Sequence, residues 1–197
     1  MGVIDSRRST RCFDTRDIPD ELIQRILEAG IRAPSGKNRQ PWRFIVSQRN
    51  DKRDYMIESA RNKIIRMLED SPSRNDLHMT LETFDIMKTA PVVIYVLYDN
   101  TSFRTQIPSD TGWSMAATDR EALDLMAIGA AVENMLLKIE ELGLGGLWCG
   151  DVLYAYQDFV DELNSGYVLL SAICLGYKSG LPGKTSRRPL TELCKYI

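Results

Sequence analysis

Cations stand in two clusters near opposite ends of the chain, Arg7-Arg8-Ser9-Thr10-Arg11 and Lys184-Thr185-Ser186-Arg187-Arg188. Between them lies Ala33-Pro34-Ser35-Gly36-Lys37-Asn38-Arg39-Gln40-Pro41-Trp42, a run of loop formers and small hydrogen-bonding residues. A guanidinium presents a planar fork of donors that matches phosphate, and Ser9 adds a hydroxyl. Gly36 lets backbone come close to a ligand, while Asn38 and Gln40 each offer donor and acceptor, which suits the edge of a heterocycle. Together these segments predict convergence on one anionic ligand. Taken singly, each also fits something plainer: a solvated basic tail, or an ordinary helix-to-strand loop.

Other candidate chemistry is weaker. Gly143-Leu144-Gly145-Gly146-Leu147-Trp148-Cys149-Gly150-Asp151 could bring backbone N–H groups up to an aromatic ring; its plainer reading is a helix end followed by a tight strand entry. It is no dinucleotide fingerprint, because no GxGxxG opens a helix after a strand. Gly180-Leu181-Pro182-Gly183-Lys184-Thr185 imitates the end of a P-loop, but Lys178 stands where the first glycine belongs. A surface loop that brings Lys184 and Arg187 to an anion fits better. His78 is the sole histidine and has no Ser or Cys beside it, so no triad can be assembled. The four cysteines, Cys12, Cys149, Cys174 and Cys194, form no CxxC pair and no zinc spacing, so no metal site is expected. Apolar surroundings predict mostly buried, reduced thiols.

The elements that position these residues follow from bulk properties and periodicity. A length of 197 residues with 44% hydrophobic content suits one domain over 1–197. A net charge of −2 argues against a dedicated nucleic-acid binder. No apolar run reaches the ~18 residues of a membrane span, and no signal-peptide core follows Met1, so a cytoplasmic location is expected. Helices are predicted from Pro19 to Ala33, over 51–69 with Tyr55, Met56, Ala60, Ile64 and Met67 or Leu68 inward, over 76–88, over 119–142 with a Thr118–Glu121 capping box, and over 151–163. Strands are predicted over 42–47, 91–98, 144–149 and 167–177. The all-apolar 91–98 segment suits a strand covered on both faces. Residues 99–118 form a long polar connection of the kind that often serves function. The order implies α+β, with a small central mixed sheet flanked by helices. Leu125 to Val132 is apolar around the whole helix, which demands burial on every side; a second copy of the chain would supply it, or else enclosure within one chain.

Read together, these segments resemble the nitroreductase superfamily of FMN-dependent flavoproteins. The likeness rests on Arg7 to Phe13, Ile18-Pro19, Ala33 to Gly36 with Asn38 to Phe44, Ala90 to Val93, Leu142 to Gly145, and Leu175-Gly176-Tyr177 leading to Arg187-Arg188-Pro189-Leu190. It implies a domain-swapped homodimer with FMN sites at the interface. One subunit would give Arg7, Arg8, Ser9 and Arg11, and its partner Pro34, Ser35, Gly36 and Asn38. Arg7 and Arg187 would meet the phosphate, backbone at Cys149 and Gly150 would approach the ring, and Arg11 would lie near its N1 and O2. Lys184 departs from the family's usual Lys-x-Arg spacing. The implied activity is hydride transfer from NADH or NADPH, ping-pong through flavin N5, to a nitroaromatic, quinone or similar small planar acceptor. Because the cofactor carries the chemistry, no acid–base apparatus is needed, and Arg11 is the one catalytic candidate, as a fixed cation beside developing negative charge. Family members with dehalogenation, dehydrogenation or flavin fragmentation chemistry, and a non-catalytic flavin-binding dimer, remain alternatives.

Overall fold

Val92–Tyr98 (β2) is apolar at every position, and the computed structural model buries all seven residues. The structure describes residues 2–101, 117–180, 183 and 186–197, with side chains from residue 120 onward in the second stretch. β2 pairs antiparallel with β1 (Trp42–Gln48) on one side and β4 (Val168–Tyr177) on the other. β3 (Leu144–Cys149) completes the order β1-β2-β4-β3. These three pairings are antiparallel; a parallel contact comes from the single bridge Ser9–Gly146, outside the named strands.

Strand alternation divides β2 between two cores. Val93, Tyr95 and Leu97 face a layer of α3 (Asp51–Asp70), α4 (Asn75–Thr89) and α6 (Tyr156–Leu163). Val92, Ile94, Val96 and Tyr98 face α2 (Asp20–Ile31) and α5 (Ala117–Glu141). The short helices α1 (Val3–Ser6) and α7 (Leu190–Leu193) lie at the two ends of the chain.

Several expectations are refined. Pro19 caps α2 from outside, and that helix ends at Ile31, before Pro34. On α3 the inward stripe is Arg53, Met56, Ile57, Ala60 and Ile64, whereas Tyr55 is exposed. Arg53 is buried there: its Nη1 donates to Pro91 O at 3.2 Å, its Nη2 lies 3.7 Å from Asp54 Oδ1, and burial lowers its pKa. Residues 151–163 break into a 3-10 turn, Asp151–Ala155, before α6. Cys149 and Cys174 are buried, but Cys12 and Cys194 are exposed, because they sit in the crossing N-terminal segment and the C-terminal tail. The side chain of Thr118 lies outside the described residues.

Helix α5 is buried along one face only. Asp124, Ala127, Ile128, Ala131, Val132, Met135, Leu136 and Ile139 form one buried face at i, i+3, i+4 spacing. The described residues do not enclose the apolar run: Leu123, Leu125 and Met126 are 37%, 38% and 64% exposed. Each residue advances about 100° around a helix, so consecutive apolar residues must occupy the outward side too.

Candidate flavin site

The N-terminal basic run is placed by a pair of glycines. Gly145 and Gly176 are cross-strand partners on β3 and β4, and their missing side chains leave a groove across the end of the sheet. A Cβ on Gly145 would stand 2.6 Å from Thr10 Cγ2, and one on Gly176 would stand 2.8 Å from Phe13 Cδ1. Thr10 N donates to Gly146 O at 2.9 Å, and Asp14 N to Tyr177 O at 2.9 Å. Thr10 and Phe13 are therefore buried while Arg11, between them, is exposed and makes no ion pair among the described residues. Arg7 approaches Glu133 of α5, Nε to Oε1 at 3.7 Å. Arg8 turns back, and its Nη1 donates to Asp5 O at 2.8 Å and Arg7 O at 2.7 Å, ending α1.

The Pro34 to Trp42 segment is strained and doubly anchored. Lys37, Asn38 and Gln40 hold φ of 53°, 54° and 50°, where non-glycine residues carry steric cost. Ser35 Oγ accepts from Gln40 N at 3.0 Å. Arg39 donates from Nε at 2.9 Å and Nη2 at 2.5 Å to one oxygen of Asp124, which is 1% exposed. Arg43 donates to Asp99 at 2.5 Å and to the carbonyls of Gln40 and Trp42. Hydrogen bonding from Thr101 and the charge of Arg43 lower the Asp99 pKa against the opposing effect of burial. Tyr98, at the end of β2, has its phenol pushed up to about 12 by burial first and then by the nearby Asp124 charge.

Two cavities flank the outward ridge of α5. One, of about 230 Å³, is lined by Pro34, Ser35 and Gly36 against Leu123, Met126, Ala127 and Ala130. The other, of about 390 Å³, lies where Trp148 and Gly150 face Leu125, Gly129 and Val132. Trp148 is 46% exposed, and its Nε1 donates to Ser171 Oγ at 2.8 Å, which fixes the indole plane. Cys149 sends its thiol to the opposite core, 3.6 Å from the Cys174 sulfur, so only its backbone serves the Trp148 side. That contact, then burial, raises the Cys174 pKa. An added Cβ at Gly150 would meet nothing within 4 Å, leaving backbone open to a ligand.

Sequence reasoning singled out the two candidate segments but not what holds them. Among the described residues no hydrogen bond or ion pair joins Arg7, Ser9 or Arg11 to Ser35, Gly36 or Asn38. Arg187 is exposed, with Nη1 3.3 Å from Ser186 O, and Lys184 lies outside the described residues. His78 is exposed and pairs through Nε2 with Pro72 O at 3.0 Å. Missed were Asp124, Glu133, Trp148 and the glycine pair. Only Trp148 had a local signal, since strand alternation between buried Leu147 and Cys149 turns it outward.

The Nitroreductase family model matches residues 4–177. The chain belongs to the Nitroreductase family. The matched region takes in Arg7 to Arg11, Pro34 to Asn38 and Cys149-Gly150, and ends before Arg187. A protein of Methanothermobacter thermautotrophicus provisionally named NADH dehydrogenase/NAD(P)H nitroreductase is 30% identical over 189 residues, 93% of this chain and 79% of that one. A BluB-like flavoprotein from Clostridium difficile 630 superposes with TM-score 0.79 at 25% identity, covering 99% of this chain and 97% of that one. A provisionally named nitroreductase from Desulfovibrio desulfuricans, crystallised in complex with FMN, superposes with TM-score 0.72 at 30% identity over 99% of this chain and 94% of its own. In this Nitroreductase-family chain, no helix of the described residues is long and apolar enough to cross a membrane.

Proposed function

We propose that this chain is a homodimeric, cytoplasmic FMN-dependent oxidoreductase that uses NADH or NADPH to reduce nitroaromatic, quinone or similar planar acceptors. One observation carries the reading: the loop cavity and the Trp148–Gly150 cavity lie on opposite flanks of an exposed apolar ridge. Each chain thus holds two half-sites, and a second copy packed on Leu123, Leu125 and Met126 would cover the ridge and complete both. The exposed Leu190, Leu193, Tyr196 and Ile197 of the C-terminal tail give a partner further apolar surface to cover. The four free thiols support the cytoplasmic assignment.

The residues present fit the cofactor. The open backbone of Gly150 and the apolar walls beside Trp148 suit one face of a flat ring, and Arg7, Arg11 and Arg187 supply cations for its phosphate and its electron-rich edge. Bound FMN would accept two electrons and a proton from the nicotinamide and pass them to the acceptor. Arg11, exposed beside buried Thr10, would hold positive charge where the reduced ring gathers negative charge. Arg7 and Arg187 would bind the phosphate through charge-assisted hydrogen bonds. Ser35 and Asn38 would meet the heteroatoms of the ring edge, from a loop held in one shape by Arg39 and Arg43. Water would be excluded by Trp148 and the partner's ridge.

The test begins with purified protein. It should be yellow or take up added FMN, run as a dimer, and oxidise NADH or NADPH when menadione or a nitrofuran is supplied. A colourless monomer that shows no flavin uptake would overturn the assignment.

A further inference from the structure

We propose that Asp124 is a positioning residue for the flavin-binding loop, acting through Arg39; this rests on the FMN reading above. Residues 35–40 place three non-glycine residues at positive φ within four positions. Such a backbone persists only where its surroundings over-determine it. The loop's own hydrogen bonds are few: Gln40 N to Ser35 Oγ, a long one from Gln40 Nε2 to Asn38 O at 3.5 Å, and the single turn Ser35 to Arg39. Besides Arg43, which donates to Gln40 O at the far end, the restraint from outside is the carboxylate of Asp124, on the first turns of α5. It is almost fully buried and takes both Nε–H and Nη2–H of Arg39 on one oxygen.

The guanidinium so held does a second thing. It lies 3.2–3.5 Å from the position a Gly36 Cβ would occupy, so it forms the floor beneath Gly36. Ser35 and Gly36 then line the cavity against Leu123 and Met126 of the same helix that carries Asp124. Asp124 therefore links the loop's shape to the ridge on which a second copy would sit. A buried carboxylate facing a solvent-exposed loop would otherwise be a costly arrangement. Arg43 with Asp99 anchors the far end of the loop, so Asp124 governs the strained half that holds Ser35, Gly36 and Asn38.

The experiment uses the full chain and two readouts. Asp124→Asn keeps the volume and removes the charge; Arg39→Gln breaks the same pair from the loop side. FMN affinity is measured by flavin fluorescence quenching. Trypsin cleavage after Lys37, an exposed residue of the loop, is followed by mass spectrometry in flavin-free protein, with cleavage after Lys63 in α3 as the internal reference. The expected result is at least tenfold weaker FMN binding in each variant and at least tenfold faster cleavage after Lys37, with Lys63 unchanged. If Asp124→Asn yields no folded protein, Arg39→Gln decides. Wild-type affinity and wild-type cleavage after Lys37 would overturn the positioning role while leaving the flavin reading intact. Equal acceleration at Lys37 and Lys63 would also overturn it, since that reports general loosening. Absence of FMN uptake by the wild-type chain would overturn the flavin reading and this proposal with it.

Discussion

Gly145→Ala isolates the contact that places the N-terminal cations. Gly145 has an ordinary backbone conformation, so alanine adds no dihedral strain and its whole cost is contact. The three nearest atoms to the new Cβ all belong to Thr10: Cγ2 at 2.6 Å, Oγ1 at 2.7 Å and Cβ at 2.8 Å. Carbon atoms rest about 3.5–4.0 Å apart, so the segment must lift by roughly 1 Å. Overpacking of this kind costs about 1–3 kcal/mol. Lifting also weakens the Thr10 N to Gly146 O bond, at about 1 kcal/mol. The expected loss is therefore about 2–4 kcal/mol, read from urea unfolding by tryptophan fluorescence at fixed protein concentration. Because Arg11 adjoins Thr10, FMN affinity should fall as well. Thr10→Gly alone costs about 1 kcal/mol in chain freedom, plus its lost packing. In the double variant the new methyl occupies the space that Thr10 vacates, so the two costs should fail to add by at least about 1 kcal/mol, with partial recovery of FMN affinity. Additivity within about 0.5 kcal/mol would show that the glycine does not seat the N-terminal segment.

Arg7→Ala should weaken FMN retention by about 10- to 100-fold, the worth of charge-assisted hydrogen bonds, whereas Arg11→Ala should slow flavin reduction in stopped-flow by tenfold or more with a smaller effect on affinity. The reverse ranking would exchange their roles. Met126→Lys puts a charge on the exposed ridge of α5 and should shift the proposed dimer towards monomer in light scattering, with release of flavin; a flavin-bound dimer would place the interface elsewhere. The lowered Asp99 pKa makes its contribution to stability present above its ordinary value of 3.8 and lost as pH falls below that towards the folded-state value. Asp99→Asn should therefore be less stable than wild type at neutral pH and lose less stability on acidification from pH 5 to pH 2, as read by urea midpoints.

Much of the fold was legible locally. The all-apolar Val92–Tyr98 run could only be a strand covered on both sides, and Gly143, with φ of 74°, ends α5 where the helical period stops. The two segments proposed to bind the cofactor stood out by residue type alone, as arginine forks and a Pro-Ser-Gly loop. The α3 stripe was misjudged at Tyr55 and Arg53, since periodicity gives a face but not which flank of it meets the sheet. A buried arginine depends on an acceptor such as Pro91 O, 38 residues away.

What the sequence determined by itself was the inventory: short-range periodicity, turn chemistry and the residue types able to grip an anion. Tertiary structure decided which of them are held, and by what. The Arg39–Asp124 pair spans 85 residues, and Gly145 meets Gly176 only across paired strands. Neither residue of such a pair carries a local mark of its partner, because the contact energy arises only once the chain has brought them together. The outward ridge of α5 is of the same kind: an apolar run shows that burial is needed, and only the packed sheet shows which side of the helix is left uncovered.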